Sequence, residues 1–175
     1  MKKTLIILFF FIFGYTYAQE QYPTIINFDV NKKTTIDEDK VVWIKEAYQF
    51  LMLNPQKAID LKNYGNSESE FNIIGSNANR ILLEFFQPSK LTTKGRCAAG
   101  LEKGFLYLEL DNNAIVIKSD FYLIESCLWS IEIISKKEEE SEILKYVCEN
   151  LQTSESFIIS LDIENVTIAK EKHQH

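Results

Sequence analysis

The sequence predicts an α+β fold: N-terminal helices, then a mainly antiparallel sheet of about five strands, with one helix inserted before the last strand. Three observations carry that expectation. Val41, Ile44, Tyr48 and Leu51 recur at helical intervals. Residues 105–110 alternate in hydropathy and are followed by the polar triplet Asp111-Asn112-Asn113 and a second apolar run at 114–118, the pattern of a hairpin. Residues 157–163 alternate again, behind a stretch at 141–151 whose apolar residues share a helix face.

At the N-terminus, Lys2 and Lys3 precede an apolar run from Leu5 to Phe13, and Thr16-Tyr17-Ala18 offers small residues where a signal peptidase reads. This predicts an export signal over 1–18, cleaved to leave a mature chain that starts at Gln19 and works outside the cytoplasm, in a periplasm or secreted. The run is short for a membrane span and no cysteine follows the cleavage position to take a lipid, so no stable membrane anchor is expected. Cleavage removes two lysines and no acid, taking the net charge from −6 to −8. That charge disfavours nucleic acid and anionic membrane as partners. Residues 19–170 have the size of one domain, and 171–175 read as a disordered tail.

Within the domain, Ile26, Phe28 and Val30 alternate long enough for a short edge strand. Thr35 and Glu38 have capping-box spacing ahead of a helix predicted over 36–53, whose apolar face Trp43 and Phe50 widen into the core. Asn54-Pro55 opens, and Gly65 closes, a second short helix. Residues 71–74 and 80–86 read as a hairpin, although Ile81, Leu82, Phe85 and Phe86 also share a helix face. Residues 89–96, with Lys90, Lys94 and Arg96, read as a solvated basic loop.

In the central hairpin, Leu106, Leu108 and Leu110 line one face, and a three-residue loop sets Leu110 opposite Ala114. Extended outward, that register sets Cys97 opposite Cys127, at a spacing that suits a disulfide. A tight turn at 119–120 would instead make a three-strand meander and separate the cysteines, so the long hairpin and the bridge stand together. Loop entropies for the possible pairings differ by only about 1 kcal/mol and do not choose among them. Cys148 is then a free thiol on the apolar face of the 141–151 helix. Cys127, Trp129, Ile131 and Ile133 share one face of a half-buried strand, with Ser126, Ser130 and Glu132 opposite. Glu125 breaks that phase and is either a buried carboxylate with a raised pKa or, as expected, one turned outward by a bulge. Residues 136–140 form a charged run. Val166 and Ile168 are expected to prolong the last strand.

The chemistry is mostly negative. His173 and His175 are the only histidines and both lie in the predicted tail, so no Ser-His or Cys-His pair is expected in a folded pocket. Their His-Gln-His spacing offers at most a weak metal grip. The six glycines form no phosphate-cradling motif, and no C-x-x-C occurs. No catalytic residue, cofactor or metal is assigned, and the balance leans against an enzyme. The expected function is a non-catalytic binding module, such as an inhibitor or envelope partner, acting on an unknown protein or small ligand. The alternative is a carboxylate-dependent hydrolase or small-ligand receptor, which a deep pocket with convergent acids would favour over a filled core with exposed aromatics.

Overall fold

The computed structural model describes residues 22–37, 40–66, 68–89, 97, 100–139 and 142–173, without the side chains of 28–37 and 40–48. The export signal, the basic residues Lys90, Lys94 and Arg96, His175 and the Trp43 side chain lie outside the described residues.

The fold is nearly all β, which corrects the α+β expectation. Strands β1 (Thr24–Asp37), β2 (Lys40–Asn54) and β3 (Lys57–Asp60) form one antiparallel sheet, followed by a single 3-10 turn over Leu61–Tyr64. A second, eight-stranded sheet contains β4 (Glu70–Ser76), β5 (Arg80–Pro88), β6 (Leu101–Leu110) and β7 (Val116–Ser126). It continues through β8 (Ile131–Glu139), β9 (Ile143–Asn150), β10 (Glu155–Asp162) and β11 (Thr167–Lys172) as an unbroken meander.

The expected helices at 36–53 and 141–151 fall largely in strands, and the one at 55–65 is replaced by β3 and the 3-10 turn. Residues 41–44 are Val-Val-Trp-Ile, all β-branched or aromatic, and this run outweighs a spacing that a helix shares. Asn54-Pro55 is the turn of the β2–β3 hairpin, where the Asn54 Oδ1 accepts the Gln56 N–H at 2.9 Å. In β9 the buried residues are Tyr146 and Cys148, at period two. Residues 81–86 are strand as well, so the β4–β5 hairpin stands.

Strands β5 and β6 are the middle layer. Ile81, Leu83 and Phe85, with Leu106, Leu108 and Leu110, pack against Leu51 and Leu61 of the N-terminal sheet and its 3-10 turn. Leu82, Phe105 and Tyr107 face the other way, onto Tyr146, Cys148, Phe157, Ile159 and Leu161. Burial on both faces explains why these strands read as nearly continuous apolar runs. The Phe105 and Tyr146 rings are 5.5 Å apart between centroids although β6 and β9 are three strands apart. In a flat sheet that separation would be about 14 Å, so the sheet is folded back on itself. The crease lies between β7 and β8, which share only the pair Ser126↔Ile131.

The crease also corrects the strand expected through 127–133. Residues 127–130 form a turn, Trp129 is 63% exposed, and Ser126 is buried rather than solvent-facing. At the other end, β10 stops at Asp162 and a turn that includes Val166 leads into β11, so Ile168 belongs to a new strand instead of prolonging the last one. β11 runs to Lys172, so 171 and 172 are strand residues, and the His173 N–H donates to the Ser156 carbonyl at 3.0 Å.

Candidate interaction loop at the crease

The hairpin β6–β7 closes with a loop longer than three residues. Asp111 Oδ1 accepts the N–H groups of Asn113 at 2.9 Å and Ile115 at 2.8 Å, and Leu110 pairs with Val116 rather than Ala114. These N–H groups, that of Ile115 first, hold the Asp111 carboxyl below its usual range. A second slip follows near the open end, where Lys103 pairs with Glu125 but Gly104 with Leu123. The bulge leaves Glu125 exposed and Ile124 fully buried.

In the shorter register Glu102 would have faced Tyr122; it faces Ser126. The ladder ends there, so it does not run out to the cysteines. Cys97 comes to Cys127 through a turn instead, with the Gly100 N–H donating to the Cys97 carbonyl at 3.0 Å and the Ser89 N–H to the Gly100 carbonyl at 2.9 Å. Cys97 and Cys127 stand at disulfide distance, with Cα atoms 5.6 Å apart. The third cysteine, Cys148, is fully buried in β9, and burial pushes its thiol up to about 11.

Beneath this clasp lies a buried carboxyl that the sequence reading passed over. Glu102 is 2% exposed. Its Oε1 accepts from the Ser89 hydroxyl and, at 3.2 Å, from the Leu128 N–H, while its Oε2 accepts from the Ser126 hydroxyl. Ser126 Oγ in turn accepts the Trp129 N–H at 3.0 Å. The signal for Glu102 was present: it is in phase with Leu106, Leu108 and Leu110, so the alternation carried back along β6 puts it on a buried face. Glu125, the residue that breaks the hydropathy phase, is the neighbour of Glu102's partner Ser126 on β7.

The turn 127–130 is therefore held from below by the carboxyl and the Ser126 hydroxyl, and from one side by Cys97. On its far side the Leu151 N–H donates to the Ser130 carbonyl at 2.8 Å, and Ser130 takes a left-handed φ of 51°. What this framework presents outward is apolar. Leu101, Leu128, Trp129 and Leu151 are 41, 37, 63 and 50% exposed. Leu101, Cys127, Ile131 and Leu151 line an open concavity of about 470 Å3, bordered by the exposed carboxylates Glu125 and Glu132.

A second open concavity, of about 450 Å3, lies at the end of β10 and β11. Lys170 and Lys172 border it with His173, and the Lys170 Nζ stands 3.8 Å over the Phe157 ring. Among the described residues no three of His, Cys, Asp and Glu come together as a metal site, and no helix is long and apolar enough to cross a membrane. Glu125 and Glu132 are exposed, and Glu102 accepts from three donors. No family model, curated protein or solved structure matches the chain.

Proposed function

We propose that the protein is an exported, non-catalytic binding module that docks a partner protein through the Trp129 loop. The observation that carries this reading is the pairing of an exposed Trp129 with a buried framework that fixes its backbone. Tryptophan dominates the energetics of interfaces out of proportion to its frequency, and a loop ordered before binding loses less entropy on docking. Leu101, Leu128 and Leu151 supply a surrounding apolar rim, and Glu125 with Glu132 adds negative charge at its edge. The fitting partner presents an apolar pocket flanked by basic residues, in keeping with an acidic chain. A pair of cysteines at disulfide distance suits the oxidising compartment that export would reach.

The test uses the full chain expressed with its own N-terminus, with a photo-reactive residue at Leu128 and, as control, at the exposed Glu164 in the β10–β11 turn. Expected is a discrete protein adduct from position 128 alone, lost on Trp129→Ala at unchanged unfolding midpoint and weakened as salt rises. Equal labelling from both positions, or an adduct indifferent to Trp129→Ala, overturns the reading. Intact mass of the exported chain should correspond to a start at Gln19.

A further inference from the structure

The crease leaves strand edges open, and the edges are not alike. β8 is laddered to β9, and its other side, beyond Ile131, carries Lys136, Lys137, Glu138 and Glu139. β11, at the end of the sheet, carries Lys170, Glu171 and Lys172. Charged runs of this kind guard exposed edges against pairing. β7 is laddered to β6 along its length, and among the described residues its other side pairs only at Ser126. Its outer half carries only one charge of each sign, Lys118 and Asp120, set between exposed apolar residues. Ile117 is 62% and Phe121 47% exposed, with Ile115 beside them at 60%.

Phe121 is opposite Leu106 in the ladder, and its ring stands edge-on to Phe85 at 5.5 Å, so it belongs to the face covered by the N-terminal sheet. The Tyr64 ring of the 3-10 turn reaches it at 6.3 Å between centroids but leaves it part exposed. Ile117 is the extra residue where the register slips between Glu109 and Leu110, two positions from Ser119 as Phe121 is on the other side. Between them lie Lys118 and Asp120, exposed on their side chains by 56 and 37% and ion-paired to each other at 2.9 Å.

The order Ile-Lys-Ser-Asp-Phe over 117–121 is self-complementary about its centre. We propose that β7 pairs antiparallel with β7 of a second copy of this chain, about a two-fold axis through Ser119. Residues directly opposite in an antiparallel pair lie on the same face. The axis therefore sets Ile117 against Phe121 of the other copy twice, closing one apolar stripe on one face. It also sets Lys118 against Asp120 of the other copy twice on the reverse face, where each charge gains a second opposite neighbour. Any register shifted by one residue loses both matches and opposes Lys118 or Asp120 to a side chain of the wrong kind. An isologous contact of this sort closes at two copies and does not propagate. The Trp129 loop is at the opposite end of β7, so the pairing stands independently of the reading above.

The experiment is sedimentation of the intact chain with charge variants at the pair. Wild type is expected to show a concentration-dependent monomer–dimer equilibrium. Asp120→Lys and Lys118→Asp, each setting like charges opposite one another, should each weaken dimerisation by about tenfold or more. Mixed one to one, the two variants should restore dimers, because every cross-pair is then opposite in sign. In parallel, Ser119→Cys should give a covalent dimer on mild oxidation, the two thiols meeting at the axis, whereas Glu164→Cys in a distant turn should not. Wild type that stays monomeric at about 1 mM, a mixture no more associated than its components, or Ser119→Cys linking no faster than Glu164→Cys overturns the proposal.

Discussion

The Oε1 atom of Glu102 accepts the backbone N–H of Leu128 at 3.2 Å, 26 residues further along the chain. This bond ties the start of β6 to the loop that leaves β7. Because Glu102 also takes the Ser89 and Ser126 hydroxyls, removing it strands several buried donors at once. Glu102→Ala should destabilise the fold by about 3 kcal/mol, given roughly 1–3 kcal/mol for each buried group left unsatisfied. Glu102→Met fills the space without accepting and should cost nearly as much, whereas Glu102→Gln keeps one acceptor and should cost less. Urea unfolding at constant m-value measures all three. A methionine variant as stable as wild type would show that Glu102 only fills volume.

The clasp gives a second expectation. Non-reducing peptide mapping should link Cys97 to Cys127 and find Cys148 alkylated only after unfolding. Replacing both Cys97 and Cys127 by serine should cost on the order of 2–5 kcal/mol. A linkage through Cys148 would contradict a sulfur buried in β9, away from the crease.

Two glycines test the backbone around the site. A methyl added at Gly100 would come within 2.5 Å of Cys127 Cβ and 2.9 Å of Ser89 Oγ, and one at Gly104 within 2.3 Å of the Tyr122 carbonyl oxygen. Gly104 sits where β7 bulges, and that oxygen belongs to the backbone, so nothing nearby rotates away. Gly100→Ala and Gly104→Ala should each cost about 1–3 kcal/mol. At Gly75 the nearest atom, the Ile163 carbonyl oxygen, is 3.2 Å away, and Gly75→Ala should cost about 1 kcal/mol or less. Thermal unfolding should place Gly100→Ala and Gly104→Ala both below Gly75→Ala.

What the sequence made legible is the local alternation. Residues 105–110 and 71–86 read as antiparallel ribbons because polar turns punctuate them, and that pairing is present. The short strand expected around Ile26, Phe28 and Val30 lies within β1, whereas β2 imitates a helix because Val41, Ile44, Tyr48 and Leu51 fit a helical stripe although Val41, Ile44 and Tyr48 are β-branched or aromatic. In β9 Ile143, Leu144 and Val147 are partly buried on both faces, which imitates a helix period. Register was the least legible feature: the longer Asp111 loop and two bulges together shift Glu102 from Tyr122 to Ser126, and the side-chain bonds that fix that loop have no signature in hydropathy. Cys97 reaches Cys127 through a turn, for which hairpin extension gave no indication. The Glu102 site joins residues from 89 to 129, and only the folded crease brings them together.

The remaining expectation concerns Cys148 and pH. Its thiol is pushed from 9.0 to about 11 by burial, partly offset by Lys170. In the unfolded chain the thiol ionises as pH passes 9.0, while the native state keeps its proton until about 11. Above 9.0 the native state therefore binds more protons than the unfolded one, so stability falls as pH rises through this window and is unaffected below it. The full loss is on the order of 3 kcal/mol. Because Cys148 is not the sole contributor to alkaline stability, the informative quantity is the stability of wild type minus that of Cys148→Ala at each pH. The variant is expected to be less stable at pH 7, because it leaves a small cavity, and to close part of that gap as pH climbs from 9 to 11. A gap that stays constant across the window would mean that Cys148 ionises equally in both states and is not enclosed by the β6–β9–β10 core.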